Sequence, residues 1–465
     1  MESFYDVVII GSGICASELN KKLGEDFKIL TITPVAASES QKFQFKGIKG
    51  PFSSEQAEKG DSPNGCGAVE YWGGAITWPS DLNYFKITHD RSWSEFYGFI
   101  KRKTLNAEYG LHQNPEKIKK FPPRIFSSEQ LIPERHEYLG GARSAVFGAT
   151  SRILENIPRI RAVIQSIKKT HNYKIVLDIE SPNKWARNTI TCKYLVFASG
   201  PLLNPLLYSM ISGEREFPYG NHLSLTSHIV GLSKPVIVKS WSQTYSSNEK
   251  AFYTYVLSQF PNDSNYISLR LRPGSQISRK ELVRNYFFSR NSTTKDKIYY
   301  AWVSLYSLLS KSYISKEFSI DLMVNQEPCT NSRIIIEEAD PPCVLAIESH
   351  LSNELISRIR KHVEGIDKSL AENVGGNGAL YIKFRVDNRD LEISDTYRDA
   401  AHWYGTVPVG DSMKWLDKNF EARAFPNLFL IGASGFAQGS VGHPTLLALY
   451  TAKRAAHVIL DREWQ

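Results

Sequence analysis

The sequence predicts an α/β chain in which a parallel-sheet unit is interrupted by an inserted α+β block built on an antiparallel sheet. Three observations carry this. An unbroken apolar run, Val7-Val8-Ile9-Ile10, leads directly into Gly11-Ser12-Gly13 and then into apolar residues at helical spacing. Between about 230 and 390 the pattern changes to period-two alternation with intervening helical stretches. Beyond about residue 400 the chain returns to a buried strand, a glycine-rich turn and a helix.

The first 33 residues read as one βαβ unit. An apolar run without alternation is what a strand buried on both faces requires, so residues 7–10 form a central strand. Ala16, Leu19 and Leu23 mark one apolar helix face, and Gly24 supplies the C-cap. Lys28 to Thr33 is the second strand, which Pro34 stops. The segment GSGICA therefore sits at a strand-to-helix turn, with Gly11, Gly13 and Ala16 at GxGxxG/A spacing. The first glycine permits the tight turn, the second lets backbone approach a pyrophosphate, and the small third residue allows close helix–strand packing. The helix N-terminus favours the negative charge, so this Rossmann-like pattern points to a dinucleotide. An acid usually ends the second strand, roughly 20 residues on, to bond the adenosine ribose. Here Thr33 stands in that place, and a hydroxyl is a weaker partner than a carboxylate.

Residues 35–130 are polar and irregular apart from the glycine-rich stretch Gly65 to Gly74. The basic run from Lys101 to Arg124 reads as a solvated face. Residues 160–180 alternate as paired strands do, and Tyr194 to Ala198 is another buried strand, ending in Ser199-Gly200. In the middle block Phe318, Ile320, Leu322 and Val324 alternate, while SRIIIEE and VLAIESHL predict further strands. Leu355, Ile356, Ile359 and Val363 follow at helical spacing. Near the end, Asn427 to Ile431 is a buried strand and Thr445 to Leu460 a helix.

Composition narrows the class. At 465 residues the chain has room for two to three domains of roughly 150 residues. Its 42% hydrophobic and 22% charged residues exclude a disordered chain. A net charge of +8 is too modest at this length to indicate a nucleic-acid partner. The five cysteines are scattered, with no CxxC pair and no His/Cys cluster, so no metal site is expected. A sparse, odd set suits a reducing cytoplasm. The N-terminus lacks the basic and apolar regions of a signal peptide, and no apolar run reaches the ~18 residues of a membrane span. A soluble cytoplasmic protein is the expectation. Nine Trp, 23 Tyr and 23 Phe suit a pocket for flat or sugar-like ligands.

Six segments, in order, resemble the glucose–methanol–choline (GMC) oxidoreductases. Phe197-Ala198-Ser199-Gly200-Pro201-Leu202-Leu203-Asn204-Pro205 resembles the family's AAGALGTP stretch, and Gly220-Asn221-His222-Leu223 its GxNL. Gln326-Glu327-Pro328 with Ser332-Arg333 resembles EQxPxxxSR. His402-Trp403-Tyr404-Gly405-Thr406 resembles HxxGT, Asn427 to Ser434 resembles NLYVxDAS, and His443-Pro444-Thr445-Leu446 resembles (N/H)PTL. Gly65 to Gly74, with Tyr71-Trp72-Gly73-Gly74, looks like the flavin-adjacent loop of the pyranose-oxidase-like branch. The region 230–315 has no such match.

The resemblance implies FAD held across an α/β domain formed by residues 1–228 and 392–465, with residues 229–391 as the substrate domain. It implies a catalytic pair facing the flavin, here His402 and His443. The candidate cofactor residues are Gly11, Gly13, Ile14, Ala16, Thr33, Trp72, Gly73, Gly74, Ile164, Ala198, Gly200, Gly432, Ala433, Pro444 and Thr445. Alcohol oxidation needs a base for the hydroxyl proton while hydride leaves carbon, and a neutral imidazole suits that task. Gly432 stands where many relatives carry Asp. Tyr71 stands where some carry a histidine bonded to the flavin, so non-covalent FAD is expected. The implied activity is an FAD-dependent oxidase or dehydrogenase acting on an alcohol, with a sugar or glycoside as the preferred substrate and oxygen, a quinone or a carrier as acceptor. Two alternatives are a non-redox lyase of the same fold and a flavin-free binding protein.

Overall fold

The strand expected at residues 7–10 lies at the centre of a six-stranded sheet. The computed structural model describes residues 3–24, 26–35, 43–49, 159–181, 184–225, 228–238, 253–257, 267–273, 276–289, 292–309, 313–338, 344–350, 397–410, 414–439 and 445–463, with isolated positions between 52 and 140 and at 357. The first sheet begins with β1 (Ser3–Ile10), helix α1 (Ile14–Leu23) and β2 (Ile29–Pro34). After β3 (Gln44–Lys49), which joins the second sheet, the chain returns as β4 (Arg159–Lys169), β5 (Tyr173–Ser181) and β6 (Lys184–Phe197), then helix α2 (Gly200–Ser212). The second sheet follows with β7 (Glu216–Leu225), β8 (His228–Val238), β9 (Tyr253–Leu257), β10 (Ile267–Pro273) and β11 (Gln276–Ile277). Helix α3 (Arg279–Leu282) runs into a π turn (Val283–Phe287), and α4 (Thr294–Leu309) leads to β12 (Tyr313–Glu338), β13 (Val344–Glu348) and β14 (Tyr397–Tyr404). Strand β15 (Leu428–Leu430) and helix α5 (Thr445–Glu463) complete the first unit.

In the first sheet β1 is parallel to both β2 and β6, β15 is parallel to β6, and β2 is parallel to β4. Strand β5 joins β4 and β6 as an antiparallel meander. Ile10 lies opposite both Ile32 and Phe197, and Leu430 opposite Phe197, so the ends of β1, β6 and β15 finish level while β2 runs two residues further. Strand β2 runs through Pro34 rather than stopping before it. The reason is pairing parity. Val35 N–H donates to Ala162 at 3.0 Å, so the N–H that Pro34 lacks would face β1, which has already turned away at Gly11.

The unbroken apolar run of β1 serves two layers. Val7 and Ile9 pack with Leu19, Leu23, Tyr450 and Ile459 of α1 and α5. Val8 and Ile10 pack on the other side with Leu203 and Leu206 of α2 and with Phe217 and Ile334 of the second sheet. Helix α2 is buried almost all round, from Leu202 to Ser209, and touches strands of both sheets, as expected of a helix apolar on every face.

The second sheet has nine strands among the described residues, with β12 as its spine. The segments around 318–324 and 332–338, expected as separate strands, form this one 26-residue ribbon. Register shifts between Gln326 and Cys329 and between Cys329 and Arg333 let it change direction without ending. Its first half pairs antiparallel with β8 and β10, its second with β7 and β13. Strands β3, β7 and β14 belong to this sheet although they lie outside residues 229–391. The glycine loop 65–74, the basic run 101–124 and the helical pattern at 355–363 fall outside the described residues, Ser357 excepted.

Candidate functional site

The ends of β2, β1, β6 and β15 form a rim at the carboxyl edge of the parallel strands, where open α/β sheets bind ligands. Hydrogen bonds stitch neighbouring ends together. Gly11 N–H donates to Ile32 O at 2.8 Å, Ala198 N–H to Ile10 O at 2.7 Å, and Ile431 N–H to Phe197 O at 3.0 Å. The Ser199 hydroxyl also donates to Ile10 O, at 2.9 Å.

Gly11 has φ +120°, and a methyl there would lie 2.3 Å from the carbonyl carbon and oxygen of Ala198. The first glycine of the motif is thus required by packing between two strand-end turns. Gly13 is different. It is the N-cap of α1, in extended conformation, and a methyl there meets nothing within 4 Å among the described residues. Among those residues no side chain caps this end of α1, and no acid lies in its first turn. N–H donors and the positive helix end gathered here are the arrangement a pyrophosphate needs. Ala16 is buried against the sheet in the third position of the motif.

Thr33, the penultimate residue of β2, is buried, and its hydroxyl has no hydrogen-bond partner among the described residues. Burying an unpaired hydroxyl is costly, so an orphan at the ribose position fits a cofactor hydroxyl. Gly200 opens α2 with φ +84°, and no described residue lies beside its would-be methyl. Gly432, at φ +94°, and Ala433 form the turn after β15; a methyl on Gly432 would come within 3.7 Å of Cys15 Sγ. The starts of α1 and α5 and this turn therefore converge. Cys15 Sγ donates to Ala448 O at 3.3 Å, Gly432 N–H donates to Thr451 Oγ1 at 2.7 Å, and that hydroxyl donates to Ala448 O. Burial pushes the Cys15 thiol up to about 12, with the Glu18 charge adding to it, so it stays neutral. Ile14 is half-buried at the start of α1, and Thr445 likewise opens α5. Ile164 lies within the core, two residues beyond Ala162, the residue opposite Pro34.

His402 lies on β14 and is half-buried. Its backbone register places it opposite His222 of β7. The segment that follows β14 then runs along the β15 turn: Gly405 N–H donates to Ala433 O at 3.0 Å, Val407 N–H to Ser434 O at 2.9 Å and Val409 N–H to Gly435 O at 2.9 Å. His402 thus stands three residues before the point where the second sheet meets the strand-end rim. His443 and Pro444, with Trp72, Gly73 and Gly74, lie outside the described residues; His443 is two positions ahead of the first residue of α5.

Several residues at the rim escape a motif reading. Asn204 is fully buried in α2, where its side-chain carbonyl accepts Ser199 N–H at 2.9 Å and its amide donates to Ser434 Oγ at 2.7 Å, with longer contacts to Phe197 O and Ile431 O. One side chain thereby ties the turn after β6 to the turn after β15. A lone amide inside the apolar run LLNPLL was the available signal. Gly220 lies opposite Tyr404, whose ring would come within 2.4 Å of a methyl on it, so the glycine of the GNHL segment makes room for the strand that carries His402. Thr406 Oγ1 and Gln438 Nε2, on the segments flanking that junction, are buried without hydrogen-bond partners among the described residues. Arg333 of the SR pair bonds Glu348 at 2.7 Å and Glu216 at 3.0 Å, which makes it a tie between strands.

Residues 328–452 match the family model described as GMC oxidoreductase. That span carries β14, the β15 turn and the start of α5, and includes both His402 and His443. The chain shares its fold with the crystal structure of pyridoxine 4-oxidase from Mesorbium loti, at 13% identity and a TM-score of 0.59, covering 97% of this chain and 98% of that one. No curated protein matches it in sequence.

Proposed function

We propose that this chain is an FAD-dependent oxidoreductase that converts an alcohol to a carbonyl. The observation that supports it most is the junction of β14 with the β15 turn, which sets His402 beside a rim already suited to a dinucleotide, inside the segment that matches the family. The residues present fit FAD. The start of α1 at Gly13 would take the pyrophosphate, and the orphan Thr33 hydroxyl the adenosine ribose. When bound, the flavin supplies a hydride acceptor. The chain's task is the proton. A neutral imidazole of the pair His402 and His443 accepts it from the substrate hydroxyl, while the other donates to the developing alkoxide. Base assistance of this kind is typically worth about 10²–10⁴ in rate.

We assign residues 1–228 and 392–465 to the cofactor domain and 229–391 to the substrate domain. In this reading FAD is held without a covalent bond, since Tyr71 offers no imidazole, and acid precipitation should release all flavin into the supernatant. Within the alcohols, the aromatic supply favours a sugar or glycoside hydroxyl, and the sparse cysteines favour the cytoplasm. The test is an absorption spectrum of the purified protein, followed by anaerobic mixing with sugars, glycosides, simple alcohols and pyridoxine. Bleaching by one of them, lost in His443→Ala while bound flavin remains, is the expected result. A protein that neither carries nor takes up FAD overturns the reading. Flavin that no alcohol bleaches, in a protein that cleaves a hydroxynitrile, moves it to the non-redox lyase.

A further inference from the structure

Eight large apolar side chains are exposed among the described residues, and six of them, Phe288, Ile298, Trp302, Leu305, Leu308 and Leu309, lie between 288 and 309. Helix α4 packs on its neighbours through Tyr300, Val303 and Ser307, all buried. Ile298, Trp302, Leu305 and Leu309 follow at i, i+4, i+7 and i+11, and at 3.6 residues per turn they fall within about 60° of arc on the opposite side. Their exposure runs from 54% to 74%. A helix with one apolar stripe docked and a second in water is incomplete as a soluble surface element.

The charges beside the stripe indicate what covers it. Lys295 heads it one turn before Ile298, and Lys297 is exposed next to it. The adjoining α3 and π turn present Arg279, Lys280 and Arg284 around a shallow cavity of about 470 Å³ whose wall includes Phe288, 71% exposed. Arg279 also donates to Ser307 Oγ of α4 at 3.1 Å, holding the two pieces together. Of the two acids here, the Asp296 carboxylate is engaged locally, accepting from the Thr293 hydroxyl and N–H at the start of α4; Glu281 is exposed, against five basic residues, Arg279, Lys280, Arg284, Lys295 and Lys297. Tryptophan, phenylalanine and leucine flanked by lysine and arginine is the composition of an element that lies in a bilayer interface. We infer that α4, with α3 and the π turn, docks this protein peripherally on an anionic lipid surface. Among the described residues no helix is long and apolar enough to cross a membrane, so the element rests on the surface and does not span it. The inference is independent of the flavin reading.

The test is co-sedimentation of the full chain with vesicles of phosphatidylcholine alone and of phosphatidylcholine mixed with phosphatidylglycerol. Binding to the anionic vesicles, weakened by salt and accompanied by a blue shift of tryptophan emission, supports the inference. Trp302→Asp with Leu305→Asp should lower the partition coefficient at least about tenfold. Both sites are exposed, and an unchanged melting curve confirms folding. Lys280→Glu with Arg284→Glu should remove the preference for anionic lipid while leaving the protein folded. Wild-type protein that stays in the supernatant with both vesicles overturns the inference. So does a stable dimer that Trp302→Asp converts to monomer, since the stripe would then be covered by a second copy.

Discussion

The two glycines of the opening turn should fail in opposite ways when each is changed to alanine. At Gly11 the new methyl would sit 2.3 Å from backbone atoms of Ala198 and 2.6 Å from Ser199 N, at φ +120°. Backbone does not yield as a flexible side chain does. The unfavourable φ costs about 1–3 kcal/mol, and overpacking a further ~1–3 kcal/mol. The sum, about 2–6 kcal/mol, is a large share of the ~5–15 kcal/mol that holds a domain folded. At Gly13 the backbone is extended and the methyl meets no described residue, so loss of a glycine N-cap and gain from a stiffer unfolded chain nearly cancel, within about 1 kcal/mol. That methyl does occupy the space in front of the α1 N–H groups. Displacing one charged hydrogen bond to a phosphate costs about 1.5–3 kcal/mol, a rise of roughly 10- to 100-fold in Kd. Urea unfolding of the flavin-free proteins and quenching of FAD fluorescence on titration measure the two effects separately. A Gly13→Ala protein that folds and binds FAD with wild-type affinity would refute the cradle. A Gly11→Ala protein as stable as wild type would refute the packing argument.

Other outcomes follow from single side chains. Thr33→Val removes a buried hydroxyl without a partner among the described residues, so the flavin-free protein should gain about 1 kcal/mol in urea unfolding while FAD binds several-fold more weakly; an unchanged FAD affinity would remove Thr33 from the cofactor site. The Glu463 carboxyl is held below its ordinary 4.5 by hydrogen bonds from Lys193 and Tyr194. Its contribution is therefore present above pH 4.5 and lost as pH falls through the lowered value. Glu463→Gln should cost up to about 1 kcal/mol at neutral pH, since the pair is partly exposed, and the gap in melting temperature should close in acid; a gap that widens there contradicts the sign. Cys15 and Cys192 are buried, and burial pushes both thiols up to about 12. Peptide mapping after iodoacetamide treatment at neutral pH should find both unmodified in the native protein and modified in urea, because the thiolate is the reactive form.

The elements most legible in the sequence are those whose local chemistry and tertiary role coincide. The run 7–10, the GSG turn, Gly24 and the final helix all appear where periodicity and capping place them. Thr33 was readable as an exception because it occupies a position with a known demand. The second sheet was less legible. Its strands come from 44–49, 216–225 and 397–404 as well as from the middle block, and pairing partners far apart in sequence leave no local trace. The same holds for Asn204, whose value comes from the two turns that α2 brings within its reach.

By itself the sequence determined the α/β unit, the strand-to-helix turn and the chemistry available at it, because strand burial, turn conformation and helix capping act over a few neighbouring residues. Only the tertiary structure decided why each glycine is there. Gly11 is required by the Ala198 backbone and Gly220 by the Tyr404 ring, whereas no described residue lies beside Gly13. It also decided that the segment following the strand that bears His402 is anchored to the β15 turn by backbone bonds, and that α4 carries apolar stripes on two opposite faces with only one of them covered. Each of these depends on which surface arrives opposite a residue, and that is set by packing across the whole chain.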